Sequence, residues 1–135
     1  MVKMSGRYLG KKKCELTHEP SGTKIETDAP KDNQGEGSRF SPTDLIGAAL
    51  GSCILTTLAI VAERDGHSIE GATFELSKEM VSQPSRRIGT LTVKVTLPAS
   101  IPESYRDKIT HVSNACPVHK SLHPDVQMPI EIIYR

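Results

Sequence analysis

From Leu45 to Ala62 the chain runs without a charged side chain, and that stretch limits what the rest can become. Its start is marked: Ser41 suits an N-cap, Pro42 the first helical position, and Asp44 completes an S-x-x-D capping pattern. Its end is marked by Gly66, after Glu63-Arg64-Asp65. The spacing predicts a helix of about 24 residues, roughly 36 Å long. Such a run is near the lower limit for crossing a bilayer. Gly47, Gly51, Ser52, Thr56 and Thr57 dilute it, however, and the chain has no second one, so a helix buried in protein is the better reading. Being apolar nearly all round, it has to be covered on every side.

The segments around it supply the cover. Arg7-Tyr-Leu, Cys14-Glu-Leu-Thr and Lys24-Ile-Glu-Thr read as short strands between Gly and Pro-Ser-Gly turns, followed by a polar loop over 29–39 that is long enough to reach across a partner or a site. After Gly66 the apolar period becomes two, at Ala72, Phe74 and Leu76 and again at Leu91, Val93, Val95 and Leu97, with Gln83-Pro-Ser-Arg-Arg as the turn between them. Pro102 to Ala115 reads as an amphipathic helix, Cys116 to Leu122 as a short turn or helix, and Val126 to Tyr134 as a last strand. The class is α+β rather than alternating βα units. One sheet does not easily enclose so long an apolar helix, so the expected architecture is a dimer in which two such helices pack together under two sheets. Gly47 and Gly51 fit that expectation, because glycines at i and i+4 admit a second helix; each costs about 1 kcal/mol against alanine in a helix interior.

Composition narrows the function. Lys plus Arg number 17 against 16 Asp plus Glu, and aromatics are 4% with no Trp, which argues against a nucleic-acid surface or a base-stacking platform. The 135 residues bury enough surface to fold as one domain, 1–135, without a staple. Three cysteines, at 14, 53 and 116, do not make a secreted disulfide framework. With an N-terminus that lacks the apolar core of a signal peptide, they point to a reducing cytoplasm and away from a membrane.

Two cysteine motifs carry the chemistry. Ser41-Pro-Thr-Asp-Leu-Ile-Gly-Ala-Ala-Leu-Gly-Ser-Cys53 resembles the central-helix motif of the OsmC/Ohr family of thiol peroxidases, and Cys116-Pro-Val-His-Lys-Ser-Leu122 resembles its second cysteine motif. The order of elements is similar over essentially the whole chain. The resemblance implies an intertwined homodimer with shared active sites, in which two antiparallel sheets wrap long central helices. It implies reduction of organic hydroperoxides without a cofactor. Cys53 would attack the peroxide and Cys116 would resolve the product as a disulfide. An external dithiol, in some members a lipoylated protein, would recycle it.

Peroxide reduction needs a thiolate, and a free thiol is only a few per cent ionised at pH 7. Cys53 lies about twelve residues into its helix, beyond the reach of the macrodipole, among the apolar residues Leu50, Ile54 and Leu55. A cation has to be brought to it. The family supplies an arginine held by an acidic residue near the start of the central helix. Asp44 occupies the acidic position of OsmC-type members, whereas Ohr-type members carry glutamate where this chain has Thr43. At about 100° and 1.5 Å per residue, Asp44 faces away from Cys53, about 13 Å along the axis. It would therefore serve the partner's site. Arg39 is the candidate cation and Arg7 the runner-up. Leu45, Leu50 and Ile54 at the dimer seam would favour alkyl or fatty-acid peroxides.

Other readings stand beside this one. Cys53 and Cys116 are also what an inert core and a helix end would contain, Asp44 serves as a cap, and Arg39 suits a solvated loop. Cys14, outside both motifs, reads as structural. Cys116, His119 and His123 have a spacing that would give zinc three ligands, and a non-catalytic OsmC-like binding dimer is the third alternative.

Overall fold

The computed structural model describes Met1–Arg135 and divides them into two compact units, Met1–Ile46 and Gly47–Arg135. The first is a three-stranded antiparallel meander of β1 (Met4–Gly10), β2 (Lys13–His18) and β3 (Lys24–Asp28), in that order across the sheet. Strand alternation puts Met4, Tyr8, Leu16 and Ile25 on one face. Met4, Tyr8 and Ile25 on that face are exposed.

The polar loop does not reach outward. It folds back on itself through a single 3-10 turn at Lys31–Asn33. The Gly35 amide donates to the Pro30 carbonyl at 3.0 Å and the Gly37 amide to the Ala29 carbonyl at 3.2 Å. A Cβ on Gly35 would lie 1.8 Å from the Ala29 carbonyl oxygen, so the closure admits only glycine there. Asp28 locks its base. This wholly buried carboxylate takes the Ser38 amide at 3.0 Å and the Ser38 hydroxyl at 2.7 Å on Oδ2, with Lys13 Nζ at 3.6 Å.

The Ser38 amide, then its hydroxyl, then the Lys13 ammonium hold the Asp28 carboxyl below the usual carboxylate range, against the opposing effect of burial. A depressed carboxyl stabilises the fold above its unfolded pKa, and that stabilisation is lost as pH falls through the folded value. Asp28→Asn is therefore expected to melt lower than the parent at neutral pH, with the gap closing below about pH 4. Melting curves of both proteins from pH 3 to 7 check this; a gap that does not change with pH would contradict it.

The central helix starts and stops where the sequence signals lie, as α1 (Pro42–Arg64). Its capping box is reciprocal: the Asp44 amide donates to Ser41 Oγ at 3.0 Å, and the Ser41 amide to Asp44 Oδ2 at 2.9 Å. In the second unit β4 (Thr73–Val81) and β5 (Arg87–Leu97) form the expected antiparallel hairpin. The chain then passes through α2 (Arg106–Ser113) and α3 (Pro117–Ser121) before β6 (Ile130–Tyr134) pairs with β5. That crossover brings β6 in parallel to β5, so the second sheet is mixed where two antiparallel sheets were expected.

The core of this unit combines Leu50, Ile54, Leu58 and Ala62 of α1 with Leu91, Val93, Val95 and Leu97 of β5 and Ile109 of α2. Each of the large side chains contributes roughly 1.5–3 kcal/mol by leaving water. Two expectations change here. Gly47 and Gly51 do not await another helix, since a Cβ on Gly47 would meet Leu76 Cδ2 at 2.9 Å and one on Gly51 would meet the Phe74 ring at 2.2 Å, both on β4. Leu50 and Ile54 do not line a seam either, because both are fully buried in the unit's own core. The large apolar side chains that α1 leaves exposed are Ile46 and Ile60, at 38% and 66%. Length and composition alone would let α1 cross a membrane, but its buried stripe is spent on this core.

Candidate active site

Cys53 and Cys116 are brought together. Cys53 sits midway along α1 on the border between buried and open faces, half-buried and packed against the core. Cys116 is fully buried. It precedes Pro117 and forms the N-cap of α3, its Sγ accepting the His119 amide at 3.4 Å. The far end of α1 is tied to the segment that leads to Cys116. The Tyr105 hydroxyl and Lys108 Nζ both donate to Asp65 Oδ2, at 2.7 and 2.5 Å.

Burial pushes the Cys116 thiol up, the His119 amide opposes it, and the neighbouring Cys53 sulfur raises it further by accepting a hydrogen bond from the Cys116 S–H. The pair is therefore asymmetric. One sulfur is half-buried at the edge of the core, and the other is enclosed in it. Outside both motifs, the Thr57 hydroxyl also reaches Cys53, 3.9 Å from its Sγ. The signal was present in the sequence, since a residue four further along a helix stacks over Cys53.

The charged candidates lie in the first unit. Arg39 follows Ser38 at the end of the closed loop, with Nη1 donating to the Ser38 carbonyl at 2.9 Å and Nε 3.4 Å from Glu26. Arg7 pairs with Glu15 at 3.3 Å. Asp44 holds the capping box. Cys14 sits in β2 opposite Tyr8 and Thr27. The zinc alternative fails on geometry, because no group of three His, Cys, Asp or Glu side chains converges as a metal site. Cys116 is turned into the core, while His123 is exposed beyond the end of α3 and accepts the Asp125 amide on Nδ1 at 3.0 Å.

The sequence model of the family described as OsmC-like protein matches residues 35–131. Among solved structures, a protein from Psychrobacter arcticus 273-4, whose description names osmotic stress induction and a detoxification response, is 36% identical with a TM-score of 0.91, over 98% of this chain and 96% of that one. An OsmC-like protein from Mycoplasma pneumoniae is 15% identical with a TM-score of 0.83, over 100% and 98%. The organic hydroperoxide resistance protein OhrB of Bacillus subtilis is 17% identical with a TM-score of 0.71, over 98% and 97%. Among proteins of curated function none matches.

Proposed function

The chain belongs to the OsmC-like family, and from that premise we propose that it is a cysteine-based peroxidase that reduces organic hydroperoxides to alcohols. The observation that carries this reading is the placement of a half-buried Cys53 beside a fully buried Cys116, on separate elements of one core. Organic hydroperoxide resistance named for a structural relative points the same way.

The electrons balance in two steps. Cys53 thiolate attacks the outer peroxide oxygen, the S–O bond forms as O–O breaks, and the leaving alkoxide takes a solvent proton to become the alcohol. Cys53 is then a sulfenic acid. The Cys116 sulfur attacks it, S–S forms as S–O breaks, and the released hydroxide leaves as water with the Cys116 proton. An external dithiol, a lipoylated protein being one such reductant, exchanges with the disulfide and restores both thiols. Arg39 is the activating cation in this scheme and Asp44 the residue that orients it. The working form is a homodimer of single OsmC-like domains with shared sites, acting in the cytoplasm. The uncovered face of α1, with Ile46 and Ile60, supports that assembly.

One equivalent of cumene hydroperoxide, followed by alkylation and peptide mapping, tests the reading. The expected product is a Cys53–Cys116 disulfide with Cys14 alkylated. Recovery of both cysteines as thiols would retire the peroxidase and favour a non-catalytic dimer.

A further inference from the structure

Thr56 and Thr57 are neighbours on α1 but use their hydroxyls differently. Thr56 takes the usual course for a helical threonine and donates back to the Ser52 and Cys53 carbonyls at 3.0 and 3.2 Å. Thr57 does not turn back to the helix. Its hydroxyl is directed at Cys53 Sγ, 3.9 Å away, and is half-buried with it. A hydroxyl can donate or accept, whereas an ionised sulfur can only accept. Once Cys53 loses its proton, the contact has one polarity: the Thr57 O–H donates to the thiolate. Such charge-assisted bonds are shorter and stronger than neutral ones.

We propose that Thr57 is a catalytic residue, donating a hydrogen bond to the Cys53 thiolate and so enlarging the fraction of Cys53 poised to attack. The assignment rests on the reading of Cys53 as the attacking thiol. It makes activation partly local to one helix. A thiolate remote from a helix N-terminus then has a Thr57 hydroxyl on one side and the Cys116 thiol on another, before any arginine arrives.

The test reads ionisation without using peroxide. The rate of Cys53 alkylation by iodoacetamide is followed from pH 5 to 10, resolved by peptide mass so that Cys14 and Cys116 do not contribute. Thr57→Val keeps the shape and removes the donor. Its alkylation midpoint is expected to rise by about 0.5–1 pH unit, lowering the rate at pH 6 by about threefold to tenfold. Thr57→Ser, which keeps the hydroxyl, should return towards the parent, and Thr56→Val should match it. Thr57→Ala gives a second donor-free variant should valine disturb packing. A Thr57→Val midpoint within about 0.2 unit of the parent, or an equal shift in Thr56→Val, would overturn the assignment. Peroxidase assays on the same proteins separate the two claims. A midpoint shift in a chain that turns over no peroxide supports the Thr57 bond and rejects only the peroxidase.

Discussion

Cys53→Ser is expected to lose turnover of organic hydroperoxide by ~10³-fold or more, while Cys116→Ser is expected to complete one oxidation and then stop. The difference follows from where the two sulfurs sit. Cys53 is half-buried on a helix face that remains partly open, so a peroxide can reach it. Cys116 is closed off in the core, and burial together with the Cys53 sulfur holds its proton in place. A buried thiol with a raised pKa is a poor first nucleophile, but a thiol beside a newly formed sulfenic acid needs only a short movement to displace hydroxide. In Cys116→Ser the sulfenic acid has no partner, so excess peroxide should drive it to sulfinic acid. Stopped-flow consumption of cumene hydroperoxide, with a dithiol for the Cys53→Ser turnover and without one for the Cys116→Ser burst, followed by intact mass, reads both outcomes. For Cys116→Ser the expected record is a fast burst of one equivalent, which adds one oxygen to Cys53, followed under excess peroxide by slow uptake of a second equivalent that adds the second oxygen. Full activity in Cys53→Ser would end the mechanism, and a burst retained in Cys53→Ser but lost in Cys116→Ser would reverse the roles.

The parts of this fold legible in the sequence are those with a local chemical cause. Ser41, Pro42 and Asp44 announce the start of α1 because a capping box is a four-residue device, and Gly66 announces its stop. The hairpin of β4 and β5 shows in its period of two. What stayed hidden is which face of α1 turns inward. Because the helix is apolar nearly all round, the buried stripe of Gly47, Leu50, Gly51, Ile54, Leu58 and Ala62 does not stand out from residues such as Ile46 and Ile60 that face water. The sequence alone therefore assigns Leu50 and Ile54 to a seam, whereas both close the core. Likewise the parallel pairing of β6 depends on the crossover through α2 and α3, which no residue pattern within the strand records. At the site, both cysteines are legible from their motifs. The closed loop that ends at Arg39 is not, because Asp28 and Ser38 meet across ten residues of polar chain.

Gly51→Ala separates the two uses of glycine on α1. Propensity alone predicts that alanine stabilises a helix interior by about 1 kcal/mol. Here the new methyl would sit 2.2, 2.4 and 2.6 Å from Cε2, Cδ2 and Cζ of Phe74, inside the contact distance of any real pair. The ring is carried by β4 opposite Val95 of β5, so it cannot withdraw without disturbing the sheet. With ring atoms this close the cost falls in the upper part of the usual overpacking range, about 2–3 kcal/mol, and exceeds the propensity gain. The expected net effect is a loss of about 1–2 kcal/mol in urea unfolding. Gly47→Ala should cost less, because its nearest neighbour is a Leu76 terminal methyl at 2.9 Å, which can rotate aside. The cause is checked by a double-mutant cycle with Phe74→Leu. If the ring fills the space over Gly51, the smaller side chain makes Gly51→Ala less harmful, with a coupling of about 1 kcal/mol. Were the glycine reserved for a second helix, as its spacing from Gly47 first suggests, the loss would depend on protein concentration and ignore Phe74.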